Sequence, residues 1–92
     1  MEIIRNASAG TLESCDCMVL LTPSGDDKVQ VEIDSIVYAQ YGEAIRETVN
    51  RVLNEFQVKG ARIRVQDRGA YDCVIEARVE TALLRAAEEE KE

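Results

Sequence analysis

The 92-residue chain contains no histidine. This removes the side chain that most often acts as a general base near neutral pH, ligates a metal while neutral, or orients an activated serine or cysteine. A hydrolytic triad of the common form cannot be assembled from what remains. The only close pair of thiols is in Cys15-Asp16-Cys17. In an extended strand both sulfurs would share a face with Val19 and Leu21, where burial as small apolar groups is the default. Two cysteines so close in a strand suit a disulfide poorly. A metal site would need further ligands, and Cys73 is the only other thiol. Cys73 itself reads as a core residue on the apolar stripe of a helix.

The same alternation places Ser14 with Asp16 on the opposite, polar strand face. By residue type alone, a serine beside Glu13 and Asp16 near a loop is ordinary solvated surface. Carboxylates are plentiful, but no pair is set apart by its spacing from the charges of solvated helix faces. Gly10, Gly25, Gly42, Gly60 and Gly69 stand singly and form no glycine-rich phosphate cradle. Arg46 and Arg78 have the planar donor fork that binds phosphate or carboxylate, or they pair with neighbours such as Glu43 or Glu76. No catalytic residue and no metal site is expected.

Eleven basic residues against eighteen acidic ones give a net charge of −7. A field of that sign repels nucleic acid and anionic membrane surfaces and favours basic patches on partner proteins. The length fits one domain with one modest core, which rarely encloses a substrate cavity as well. No run is apolar for long enough to span a bilayer, and Met1-Glu2 opens without the features of a signal peptide. With an odd number of cysteines, these features lead to the expectation of a cytoplasmic protein.

The elements that would position these residues follow from periodicity. Residues 1–10 read as an arm, with an edge strand possible at Ile3-Ile4. Thr11 to Thr22 reads as a strand ending at the turn cluster Pro23-Ser24-Gly25-Asp26-Asp27, and Val29, Val31 and Ile33 alternate with polar residues in a second strand. The two read as a β-hairpin. Ile45, Val49, Val52, Leu53 and Phe56 form the stripe of a helix of about four turns, closed by Gly60 as its left-handed end. Ala61, Ile63 and Val65 mark a third strand. Cys73, Ala77 and Leu84 suit a second helix, followed by an acidic tail over residues 88–92. The expected fold is a two-layer α+β domain: a small, mainly antiparallel sheet packed on one face against two helices, in the order strand, strand, helix, strand, helix.

The segment Ala9-Gly10-Thr11-Leu12-Glu13-Ser14-Cys15-Asp16 resembles the modification segment of the citrate lyase acyl carrier proteins, the gamma subunits of that complex. The likeness continues through Tyr41-Gly42-Glu43-Ala44-Ile45-Arg46, Val58-Lys59-Gly60, Gly69-Ala70-Tyr71-Asp72-Cys73 and Ala77-Arg78, covering nearly the whole chain. It implies a single acyl carrier domain over residues 1–92, with no catalytic residue of its own. The cofactor it implies is 2'-(5''-phosphoribosyl)-3'-dephospho-CoA, joined to Ser14 through a phosphodiester. The arm's thiol would carry acetyl and citryl thioesters during cleavage of citrate to acetate and oxaloacetate. The implied partners are the transferase (alpha) and lyase (beta) subunits and the enzyme that attaches the group. In one departure from the family pattern, Cys15 stands where glycine is expected after the modified serine. Three alternatives stay open: the carrier of malonate decarboxylase, an unmodified acidic interaction module, and a small enzyme using Cys15 or Cys17.

Overall fold

The computed structural model describes residues 1–87; the expected acidic tail lies outside the described residues. The elements are β1 (Ala7–Gly10), β2 (Cys17–Pro23), β3 (Val29–Ser35), α1 (Tyr38–Glu55), β4 (Ala61–Asp67) and α2 (Asp72–Ala87). The strands form one sheet in the order β1-β2-β4-β3, antiparallel at β1–β2 and β2–β4 and parallel at β3–β4. The α+β class, the mainly antiparallel sheet and the two helices agree with the periodicity of the sequence.

One face of this sheet is covered. Cys17, Val19 and Leu21 of β2 and Ala61, Ile63 and Val65 of β4 are buried, whereas Leu20, Arg62 and Arg64 between them are exposed. Against the buried face α1 lays Ile45, Val49, Val52 and Leu53, in the expected phase, with Phe56 partly buried at its end. For α2 the phase is the reverse of the expected one: Ile75, Val79, Ala82, Leu83 and Ala86 are buried, while Cys73, Ala77 and Leu84 are exposed. Alanine and valine are spread around this helix, so its amphipathic contrast is weak and packing decides which face turns inward.

The expected β2–β3 hairpin does not form, because β4 lies between the two strands. A parallel pair needs a long crossover, and α1 supplies it from β3 to β4. The Pro23–Lys28 connection arches over the start of β4, where the Ser24 amide donates to the Gly60 carbonyl at 3.0 Å and the Ala61 amide to that of Lys28 at 3.1 Å. Gly60 has φ +66°, and a Cβ there would stand 2.4 Å from the Asp26 carbonyl oxygen. Its role is therefore in this crossing and not at the helix end. The left-handed residue after α1 is Gln57, with φ +52°. The Val58 amide donates to the Leu53 carbonyl and that of Gln57 to Asn54, which are the paired bonds of a Schellman cap.

The hairpin that does form joins β1 to β2, with Ser8 opposite Leu20 and Gly10 opposite Met18. Small residues without a hydrophobic period become a strand here because β2 offers an unpaired edge to their backbone. The expected edge strand at Ile3-Ile4 is absent. Ile3 instead enters the core, and the Ile4 and Arg5 amides both donate to the Ala86 carbonyl.

At the end of β4, Asp67 is buried and fully engaged. Its carboxylate accepts the Ser35 hydroxyl at 2.7 Å and the Gly69 and Ala70 amides at 3.1 and 2.9 Å. The Ser35 oxygen in turn accepts the Val37 amide at 3.1 Å, just before α1 begins. One carboxylate thus fixes both the entry to α1 and the β4–α2 loop. Asp67→Ala leaves two amides and a hydroxyl without their partner, and a loss of about 2–4 kcal/mol of stability is expected by urea denaturation.

Candidate functional site

Ser14 does not lie on a strand. Thr11 to Asp16 form the connection between β1 and β2, and the Asp16 amide donates back to the Glu13 carbonyl at 3.2 Å. This makes Glu13-Ser14-Cys15-Asp16 a hydrogen-bonded turn with Ser14 and Cys15 at its centre. Ser14 is exposed, and its hydroxyl makes no hydrogen bond among the described residues. The strand expected from Thr11 is displaced because Asp16 draws the backbone into this turn.

Cys15 sits at the third turn position with φ +64°. That left-handed conformation is the one glycine adopts without a steric penalty, which gives a physical reason for a glycine after the serine in such a turn. Cys15 is accordingly exposed and does not share the buried face with Cys17. Gly10, just before the loop, has φ +94°, and a Cβ there would fall 1.8 Å from the Cys17 carbonyl oxygen. No other residue lets the two ends of the loop approach so closely.

The Asp16 carboxylate organises the loop. It accepts the Thr11 hydroxyl and the Cys17 amide, each at 2.7 Å. It also takes a two-pronged contact from Arg78 of α2, Nε to Oδ1 and a terminal nitrogen to Oδ2, both at 3.0 Å. Hydrogen bonds from Arg78 and Thr11 hold the carboxyl well below its usual range, since they favour the ionised form. The Thr11 oxygen also accepts the Glu13 amide at 3.2 Å. Arg78 therefore pairs with Asp16 and not with Glu76, which pairs with Arg51 at 2.8 Å. Arg46 donates to the Val31 carbonyl at 3.1 Å.

A second anchor comes from the β4–α2 loop. The Cys15 amide donates to the Arg68 carbonyl and the Arg68 amide to the Asp16 carbonyl, both at 2.9 Å. The two loops thus share one pole of the molecule with the start of α1. Between α1 and the β4–α2 loop at this pole lies a groove of about 510 Å³, lined by Tyr41, Ala44 and Ile45 on one side and Gly69, Ala70 and Tyr71 on the other. A larger open hollow of about 810 Å³, bordered by Met1, Asp26, Lys59 and Gly60, sits at the far end of the sheet from Ser14. Periodicity did not single out the groove: its tyrosines come from separate elements, and only the family resemblance had marked their segments.

The cysteines divide by environment. Cys17 is fully buried, and desolvation with the nearby Asp16 and Asp67 charges pushes its thiol up to about 12. Cys15 and Cys73 are exposed; Cys73 is not the core residue its spacing implied, because α2 presents the other face. Among the described residues no cluster of three or more histidine, cysteine, aspartate or glutamate side chains is placed to hold a metal ion, and no helix is long and apolar enough to cross a membrane.

The structure is a four-stranded α+β fold with one covered sheet face, and it presents an exposed serine hydroxyl at a hydrogen-bonded turn. Residues 4–86 match the family described as the malonate decarboxylase delta subunit (MdcD), and the chain belongs to this acyl carrier family of the malonate decarboxylase and citrate lyase type. It is 48% identical over 97% of its length to the citrate lyase acyl carrier protein of Yersinia enterocolitica, covering 92% of that protein. It is 49% identical over 96% of its length to that of Treponema denticola, covering 99% of it. In fold it is similar to a chain of a Pseudomonas malonate decarboxylase hetero-tetramer crystallised with malonate, at TM-score 0.66 and 22% identity, over 92% of this chain and 87% of that one.

Two outcomes follow from these environments. Asp16 is ionised in the folded state to lower pH than in the unfolded chain, so its contribution to stability is fully present above the ordinary carboxylate value of 3.8 and lost as pH falls below it. Asp16→Asn is therefore expected to be less stable than the parent near neutral pH, with the gap narrowing as pH drops below about 4, as followed by denaturation at a series of pH values. In native protein an aromatic disulfide reagent should label Cys15 and Cys73 quickly and Cys17 only on unfolding.

Proposed function

We propose that this chain is the acyl carrier subunit of a citrate lyase, a single cytoplasmic carrier domain that bears its prosthetic group on Ser14 and has no catalytic residue of its own. The observation that carries the reading is the Ser14 turn. Its hydroxyl is exposed and unengaged, while the backbone directly after it is tied to Arg68 and through Asp16 to Arg78. An attaching enzyme needs a reachable hydroxyl on a defined backbone, and the turn offers both. The citrate system is favoured by identities of 48% and 49% to carriers of that name over nearly the full length.

The residues fit 2'-(5''-phosphoribosyl)-3'-dephospho-CoA as the attached group, because a phosphodiester on an outward hydroxyl displaces no hydrogen bond of the fold. Once bound, such a group would supply a flexible arm ending in a thiol for acetyl and citryl thioesters. The chain's own task is to hold the tether point steady and to dock in turn against a transferase and a lyase subunit, so that each encounter proceeds at high effective concentration. Its −7 charge suits docking on basic patches of those partners. A second reading, the carrier of a malonate decarboxylase, is favoured by the matched family description and uses the same serine.

Intact-mass analysis of protein produced with its native operon under citrate fermentation should show one added group, mapped by peptide sequencing to Ser14 and absent from Ser14→Ala. Only unmodified polypeptide in that preparation would falsify the carrier assignment. A malonyl group trapped on the arm during turnover, with no citryl, would move the assignment to malonate decarboxylase.

A further inference from the structure

The groove at the Ser14 pole is not used by anything described so far. Its floor is apolar, formed by Ala44, Ile45 and Ala70, and its rim carries Tyr41 and Tyr71, which are 58% and 75% exposed. Three of the chain's four aromatic residues, Tyr38, Tyr41 and Tyr71, are exposed, and Tyr41 and Tyr71 both border this groove. The groove is joined to the tether by the backbone. Arg68, bonded to both Cys15 and Asp16, is followed directly by Gly69, Ala70 and Tyr71 of the groove wall. Asp67, which orders the Gly69 and Ala70 amides, holds that wall against α1.

The groove's chemistry selects among the parts of the arm. The charged residues of its lining, Asp67 and Asp72, are both acidic, on a chain of charge −7, so the diphosphate and the phosphodiester are repelled from it. The pantetheine portion would have to leave its amides unpaired on an apolar floor, which is unfavourable. Adenine is flat, uncharged and suited to stacking on tyrosine. It is also borne on the ribose next to the phosphoribosyl link, so it lies near the tether. We propose that the groove between Tyr41 and Tyr71 is a resting site for the adenine of the arm attached to Ser14. Adenine seated there fixes the near half of the arm and leaves the pantetheine and its thiol free to swing. This inference rests on the Ser14 reading.

The test is proton NMR of the loaded carrier, with intact mass establishing beforehand that the group is present and on Ser14. The adenine H2 and H8 resonances should move upfield from their positions in free dephospho-CoA and show cross-peaks to the Tyr41 or Tyr71 ring. In Tyr71→Ala both effects should be lost, and in Tyr71→Phe retained, since stacking needs the ring and not the hydroxyl. Adenine resonances identical to those of the free compound, with no cross-peak to either ring, overturn the proposal. That is also the outcome if the groove is reserved for a partner subunit. Where mass shows no group on Ser14, the carrier reading fails by itself. The groove is then judged by titrating the unmodified chain with adenosine and with uridine. Shifts at Tyr41, Ala70 and Tyr71 with adenosine alone support an adenine site, and none at millimolar adenosine overturns it.

Discussion

Every feature of the Ser14 pole depends on β4 being paired along both edges. Its antiparallel bonds to β2 place Asp67 opposite Cys17, and its parallel bonds to β3 place the same residue opposite Ser35. The strand therefore brings the β1–β2 loop, the start of α1 and the start of α2 to one end of the sheet. Asp67 is the residue in which those constraints meet. Its buried carboxylate is tolerated because each of its contacts is a well-made hydrogen bond to a group that would otherwise be unpaired.

From that junction the Ser14 turn is built outward in two steps. Arg68 clasps the turn through two backbone bonds, which fix where the chain runs without reference to side-chain identity. Asp16 then adds a side-chain lock, gathering Thr11, the Cys17 amide and Arg78 on one carboxylate. Paired so, the Arg78 guanidinium is engaged before any anion arrives. Ser14 is the turn residue left outside these contacts, and the positive φ of Cys15 directs the backbone back inward immediately after it. The turn thus leaves one hydroxyl free on a backbone held by hydrogen bonds.

Some of this was legible in the order of residues. The alternation Ala61, Ile63, Val65 and the stripe Ile45, Val49, Val52, Leu53 carry strong periods, so β4 and α1 were visible with their buried faces correctly assigned. In α2 the apolar residues are spread too evenly for periodicity to fix a phase, and the helix buries Ile75, Val79 and Leu83 in place of Cys73, Ala77 and Leu84. The β1–β2 hairpin was hidden because Ala7-Ser8-Ala9-Gly10 forms a strand through its backbone, which leaves no mark on side-chain pattern. For the site, Ser14 was marked only by resemblance to a family, since its neighbours read as solvated surface.

By itself the sequence determined the class of the fold, the single covered face and the lack of a histidine-based catalytic set, because these follow from local period and from which side chains exist. Which strands are neighbours was decided only by tertiary structure. A crossover through α1 inserts β4 between β2 and β3, and no local signal distinguishes that arrangement from a hairpin. The partner of Arg78 was decided the same way, since Asp16 lies 62 positions away along the chain. The groove at the same pole likewise exists only because residues from α1 and from the β4–α2 loop are held across from one another by a buried carboxylate.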